Sequence, residues 1–163
     1  MKSRLVTYLQ SPVGLIEISG TGTFITSVLF VEETEVEADE NVPEVLLDCK
    51  RELEEYFAGT RQEFTVKLKA EGSIFQKKVW NELKKIPFGS TCSYNTIAKK
   101  LHNPDAVRAV GLANGKNPIA IILPCHRVIG EDGKLTGYAG GLWRKQWLLE
   151  HEGKITGNKP LLF

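Results

Sequence analysis

Three strand-length apolar runs in the first 31 residues are separated by turns too short to carry a crossover. Residues 4–9, 14–19 and 24–31 are rich in Val, Ile, Leu, Phe, Thr and Tyr. Between them lie Ser11-Pro12-Val13-Gly14 and Gly20-Thr21-Gly22, both turn signals. Parallel neighbours need a dozen or more connecting residues, so these runs pair as an antiparallel meander. An acidic, Pro-containing loop over residues 32–44 follows and is expected to be mobile. A helix is predicted at roughly 44–57, with Leu46, Cys49, Leu53 and Tyr56 on one face and Gly59 as its stop. A further strand is predicted from Phe64 to Lys69.

The chain changes character at Glu71-Gly72. Ser73-Ile74-Phe75-Gln76 reads as a capping box, and Phe75, Val79, Leu83 and Ile86 form the buried stripe of the helix it opens. Helices dominate from there on. The net charge of +1 conceals a matching asymmetry: −7 over residues 1–72 and +8 over residues 73–163. A basic half of this kind suits a polyanionic partner. With 42% hydrophobic and 25% charged residues, the 163-residue chain fits neither a collagen-like nor a disordered class. No apolar run is long enough for a membrane-spanning helix, and the N-terminus lacks the apolar core of a secretory signal. Three cysteines without a C-x-x-C pair point to a reducing, intracellular setting, with neither a disulfide scaffold nor a structural metal.

Residues 93–101 read as a short helix with Ile97, Ala98 and Leu101 inward. His102-Asn103 makes a tight turn, Asn103 is placed to cap a second helix over 104–114, and Pro104 takes its first position. The pair is similar to a helix-turn-helix. Its second helix carries a single charge. Arg108, Gly111, Leu112 and Gly115 share one face, with two glycines that permit close approach. A major-groove reader would display several Arg, Asn or Gln side chains. This face suits a minor groove, with one long side chain to insert. A helical hairpin buried in a core is the alternative.

The apolar run Ile119–Leu123 reads as a buried strand or extended segment, ended by Pro124. Cys125-His126-Arg127 follows at once. A thiol is activated by an adjacent base, and an imidazole lowers its pKa below the free value of about 8.5. Glu152, on a helix beginning near Leu142, is the candidate carboxylate that orients His126. Cys49 is explained as a small buried hydrophobe, and Cys92 has no base beside it in sequence.

Pro124-Cys125-His126-Arg127 resembles the active-site motif of the O6-alkylguanine-DNA alkyltransferases, also called methylated-DNA–protein-cysteine methyltransferases. Family-like features continue in order through Phe75-Gln76, Val79-Trp80, Ile86 to Gly89, Ser93-Tyr94, Ala106 to Gly111, Asn117-Pro118, Gly137 to Gly141 and Trp147 to Gly153. They span residues 73–153, about half the chain. The first 70 residues resemble the family only in their strand-and-helix pattern.

The resemblance implies an α+β fold. Residues 1–70 would form an N-terminal antiparallel sheet with a helix, ribonuclease H-like. Residues 73–163 would form a mostly helical C-terminal domain with a winged helix-turn-helix-like motif that binds DNA. It implies repair of O6-alkylguanine, and O4-alkylthymine, by irreversible single-turnover transfer of the alkyl group to Cys125. The partner would be double-stranded DNA bearing the lesion, met by a cytoplasmic monomer. His126 would take the thiol proton through a water, Glu152 would orient His126, and Asn117 would hold the turn beneath the site. Tyr94 would rotate the nucleotide and donate a proton to the departing guanine. Val128, Tyr138 and Ala139 would recognise the base. Arg108 would fill the vacated stack, with Asn95, Asn103, Gly111 and Gly115 on the same DNA-facing surface.

Some family members have Ser where this chain has Ala139, which leaves only a backbone N–H to reach the substrate oxygen. The N-terminal zinc ligands of other members have no counterpart here. No Gly-rich phosphate loop is present, so no cofactor is implied. Two other readings remain open at this point. One is a non-catalytic damage sensor or regulator in which Cys125 is structural. The other is a cysteine hydrolase built on Cys125, His126 and Glu152.

Overall fold

Alternating apolar residues and tight turns produce the expected meander in a computed structural model, which describes residues 4–34 and 36–158. Strands β1 (Leu5–Ser11), β2 (Gly14–Gly20) and β3 (Ile25–Val31) form one antiparallel sheet in that order. The register runs from Leu5 opposite Gly20 to Ser11 opposite Gly14, and from Leu15 opposite Val31 to Gly20 opposite Ile25, with an irregularity at Ser19/Gly20. Central β2 buries both Ile16 and Ile18 and the intervening Glu17, whose carboxylate accepts from Arg4 at 2.8 Å. Helix α1 (Glu44–Ala58) lies against the sheet through Leu46, Cys49, Leu53 and Tyr56. It stops at Gly59, whose φ of 83° is the left-handed conformation that glycine adopts without strain.

One expectation for this half needs correction. Residues 64–69 are not a strand. Among the described residues their one ladder contact is a parallel bridge between Leu68 and Ile25, while Glu52 holds Thr65 within the segment. The Glu52 carboxylate, buried on α1, accepts from the Thr65 backbone N–H and hydroxyl and faces Arg61. The acidic loop after β3 is joined to β1 at Asp39. Asp39 takes the Val6 N–H at 2.8 Å and gives its own N–H to the Val6 carbonyl at 3.0 Å.

The chain divides into two compact units: Met1–Glu71 with Pro118–Ala120, and Gly72–Asn117 with Ile121–Phe163. The Pro118–Ala120 stretch, placed by sequence with the second half, is hydrogen-bonded along β3 of the first unit through both backbone groups of Val28.

In the second unit, α2 (Ile74–Leu83) opens with the expected reciprocal Ser73–Gln76 capping box. Its buried face is Val79, Trp80 and Leu83, with Ile86 in the turn beyond, whereas Phe75 is only half-buried. The Trp80 indole N–H donates to the Ala113 carbonyl at 2.8 Å and ties α2 to a later helix. A short parallel pair joins β4 (Cys92–Ser93) to β5 (Val128–Ile129). Helix α3 (Tyr94–Lys100) is capped by the Ser93 hydroxyl, and α4 is Val107–Gly115.

Helix α4 starts three residues later than the sequence suggested. Asn103 does not cap it. Its carbonyl closes a turn with the Ala106 N–H instead, and Ala106 takes the cap position without a side-chain bond. The Ile119–Leu123 run is buried but is not a strand beyond Ile119. It turns, with Ile121 at a φ of 70°, a conformation rare for a β-branched side chain. That turn delivers the chain into a 3-10 segment at Cys125–Arg127. The unit ends with α5 (Leu142–Thr156). Among the described residues no helix is long and apolar enough to cross a membrane.

Candidate active site

The 3-10 turn places three consecutive side chains in a buried polar cluster, and α5 brings Glu152 to meet them. The His126 Nε2 lies 2.7 Å from Glu152 Oε2. Arg127 grips the same carboxylate in a fork, Nε to Oε1 at 2.8 Å and Nη2 to Oε2 at 3.1 Å, while its Nη1 donates to the Ile86 carbonyl at 2.8 Å. The Gly89 N–H adds a fourth donor at 3.2 Å. Gly89 has a φ of 82°, and a Cβ there would stand 2.5 Å from the Thr156 hydroxyl oxygen, so position 89 excludes side chains.

Burial alone would raise the Glu152 pKa, but His126 and Arg127 overcome it and hold the carboxyl well below the usual range. Burial depresses the His126 pKa, opposed by Glu152, so the imidazole rests neutral. With a carboxylate at Nε2, the neutral ring carries its proton there and Nδ1 keeps a lone pair. That Nδ1 is buried and has no hydrogen-bond partner among the described residues. It is thus a buried nitrogen free to accept a proton.

Cys125 is buried, and burial pushes its thiol pKa up, with Asn117, Lys145 and Tyr138 pulling the other way. The expectation of a lowered thiol pKa is therefore reversed in the resting protein. The neighbouring imidazole faces Glu152 and is uncharged, so it supplies no cation to stabilise a thiolate. Asn117 donates to the Leu123 carbonyl at 2.7 Å, across the turn that precedes Cys125. The Tyr138 hydroxyl is buried near Cys125, and burial raises its pKa well above the ordinary value. Ala139 is exposed beside it, and Val128 is fully buried on β5.

Tyr94, at the start of α3, is half-buried, and its hydroxyl bonds the Thr136 hydroxyl. Burial raises its pKa, so it is a protonated phenol at neutral pH. The α4 face predicted from spacing is uncovered: Arg108 and Gly115 are exposed and Leu112 is 67% exposed. Gly111 on that face has the Tyr94 ring 3.9 Å from where a Cβ would stand, so this face adjoins the phenol. Asn95 donates to the Glu131 carboxylate at 3.1 Å, and Asn103 lies exposed in the turn before α4. Cys92 sits beside Val128 in the β4–β5 ladder, and Cys49 is buried among the apolar residues of α1 with its pKa pushed up to about 12.

Three groups escaped the sequence reading. Arg127 was visible only as part of a motif. Lys145 is fully buried, with its pKa lowered to about 8 by burial, and its ammonium donates to the Thr136 carbonyl at 3.2 Å and hydroxyl at 3.3 Å. A lysine on the stripe shared with Leu148, Leu149 and Glu152 was the signal available for it. Asn114 is buried on α4, donates to the Cys125 carbonyl at 3.3 Å and lies beside the Tyr94 hydroxyl.

Residues 5–70 match the family model for the 6-O-methylguanine DNA methyltransferase ribonuclease-like domain, and residues 74–154 match that for the DNA binding domain. A methylated-DNA–protein-cysteine methyltransferase of Methanosarcina acetivorans is 51% identical over 148 residues, covering 88% of this chain and 95% of that protein. One from Mycolicibacterium paratuberculosis is 48% identical, over 95% of this chain and 96% of its own. Among solved structures, the Mycobacterium tuberculosis O6-methylguanine methyltransferase superposes with a TM-score of 0.84 at 44% identity, covering 93% of each chain. The same organism's protein in complex with DNA gives 0.83 at 47% identity, over 91% of this chain and 92% of that one.

Proposed function

Because the chain belongs to the 6-O-methylguanine DNA methyltransferase family, we propose that it repairs O6-alkylguanine by moving the alkyl group irreversibly onto its own Cys125, once per protein molecule. The observation that carries this reading is the buried His126–Glu152 pair, whose one unpartnered nitrogen belongs to the residue that follows buried Cys125 in the chain.

The chemistry follows from the resting states of these groups. The Cys125 proton passes to His126 Nδ1 through a water, and the anionic Glu152 stabilises the imidazolium that results. Lys145, whose charge lies close enough to lower the thiol pKa, stabilises the thiolate. The sulfur attacks the alkyl carbon in line as the carbon–O6 bond breaks, and the departing guanine takes a proton from the Tyr94 hydroxyl. The thioether product is stable, and among the described residues none is arranged to remove it.

The target carbon lies inside a duplex, so the base is flipped out to reach a buried thiol. The exposed α4 face supports insertion into the minor groove, with Arg108 occupying the gap in the stack. Val128, Tyr138 and Ala139 contact the flipped base, and Asn95, Asn103, Gly111 and Gly115 lie against the DNA. The same chemistry applies to O4-alkylthymine. The protein acts as a cytoplasmic monomer on double-stranded DNA. Residues 1–70 and 73–163 serve as its N-terminal domain and its DNA-binding, alkyl-accepting domain.

A duplex carrying a labelled methyl on guanine O6 tests the reading. The label is expected to move onto the protein. Label that stays on the DNA would indicate a damage sensor, and label released to water a hydrolase.

A further inference from the structure

Tyr94 gives away a proton in the alkyl transfer and needs one in return. A phenolate in that place is unfavourable, because burial raises the Tyr94 pKa. The Thr136 hydroxyl bonds Tyr94 on one side, and the Lys145 ammonium donates to it at 3.3 Å on the other. An ammonium only donates, so Thr136 Oγ1 accepts from Lys145. Thr136 keeps its own proton to donate, and the relay uses the arrangement in which that proton goes to the Tyr94 oxygen and the Tyr94 proton points away from the pair. In that arrangement the three groups form a continuous hydrogen-bonded chain from Lys145 to Tyr94.

We propose that Thr136 relays a proton from Lys145 to Tyr94, so that the buried lysine restores the phenol as the phenol protonates the departing guanine. This rests on the alkyl-transfer reading above. In the balanced step the sulfur–carbon bond forms and the carbon–O6 bond breaks, its electron pair going to the guanine. One proton shifts along each link: Tyr94 to guanine, Thr136 to Tyr94, and Lys145 to Thr136. Lys145 ends as a neutral amine, and the proton that left Cys125 remains on His126. Burial has already brought the Lys145 pKa down to about 8, which makes this lysine a better proton donor than an exposed one. The Thr136 carbonyl holds the ammonium in place at 3.2 Å.

A purely electrostatic lysine would stabilise the thiolate without needing the Thr136 hydroxyl. The test therefore compares two reactions of Cys125. A methylated-guanine duplex has a leaving group that needs a proton, whereas iodoacetamide releases iodide, which needs none. Thr136→Val is expected to slow single-turnover transfer from the duplex by about tenfold or more while its rate with iodoacetamide stays at the wild-type value. Thr136→Ser restores the duplex rate. Equal slowing of both reactions by Thr136→Val, a wild-type duplex rate in it, or a Thr136→Ser as slow as Thr136→Val would each overturn the relay. Should Thr136→Val not fold, Lys145→Met decides by the same ratio: a larger loss with the duplex supports the relay, and equal losses refute it. A wild-type protein that takes no methyl from the duplex would instead defeat the alkyl-transfer reading itself.

Discussion

Replacing Glu152 by Gln removes one charge and leaves the shape of the side chain unchanged. The carboxylate accepts four hydrogen bonds: from His126 and Arg127 Nη2 at Oε2, and from Arg127 Nε and the Gly89 N–H at Oε1. An amide offers one accepting oxygen. In either orientation its NH2 meets two donors, one of them on a guanidinium that is 6% exposed. Breaking a buried ion pair from one side destabilises by about 3–5 kcal/mol. Domains of this size are held by about 5–15 kcal/mol, so the variant is expected to fold with a strongly lowered urea midpoint. The chemical effect is separate. An amide NH2 facing Nε2 would drive the imidazole proton to Nδ1 and remove the lone pair that receives the Cys125 proton. Alkyl transfer should then fall by about 100-fold or more, with affinity for DNA much less affected, because Glu152 is buried away from solvent. Urea unfolding, single-turnover transfer and duplex binding, measured on the same preparation, separate these effects. A stability loss below about 1 kcal/mol, well under the buried-pair range, would refute the ion-pair reasoning. Transfer and binding that decline by the same factor would refute the tautomer reasoning.

Arg108→Ala should slow repair in a duplex strongly while leaving reaction with free benzylated guanine nearly unchanged, since only the duplex requires base extrusion; equal losses would make Arg108 a pocket residue. Lys145→Met should raise the unfolding free energy by about 1–3 kcal/mol, because a buried ammonium is replaced by an apolar chain of similar length, even as transfer slows. A destabilised Lys145→Met would show that the Thr136 bonds outweigh the burial of charge. Acid should weaken the fold. The His126 and Glu152 pKa values are both depressed relative to the unfolded chain, so between the folded and unfolded values the unfolded state binds more protons. Their stabilisation is complete above about pH 6.5 and is lost progressively below it, first through His126 and then, below about pH 4.3, through Glu152. A urea midpoint that stays flat or rises on acidification across that range would contradict this.

Local signals carried the sequence reading a long way. Short turns between apolar runs specify the meander, because no other pairing fits the connections. The Ser73–Gln76 box marks the first residue of its helix, because the two side chains satisfy each other's backbone partners. The face shared by Arg108, Gly111, Leu112 and Gly115 follows from helical spacing alone. Where the reading failed, composition was right but the chain's path was set by particular contacts or turns. Residues 64–69 have strand composition, but buried Glu52 holds Thr65, and pairing is confined to one bridge. Asn103-Pro104 is a good helix start, yet the turn closes onto Ala106. Ile119–Leu123 has the composition of a strand but turns at Ile121, because it must bring Cys125 into the cluster.

The candidate site shows the same division. Cys125 and His126 adjoin in sequence, but adjacency said nothing about where the imidazole points. It faces Glu152, and the thiol pKa rises instead of falling. Lys145 and Arg127 are charged residues at buried positions. Composition treats such residues as surface, and only the tertiary contacts show what they neutralise.

Intact-mass spectrometry after incubation with a duplex containing one O6-methylguanine tests the central claim most directly. The account predicts a gain of one methylene unit, about 14 Da, that reaches one per protein with excess DNA, maps to the peptide bearing Cys125 and ends all further repair. A methyl group found on Cys49 or Cys92, repair of more than one lesion per molecule, or DNA demethylated with no change in protein mass would contradict it.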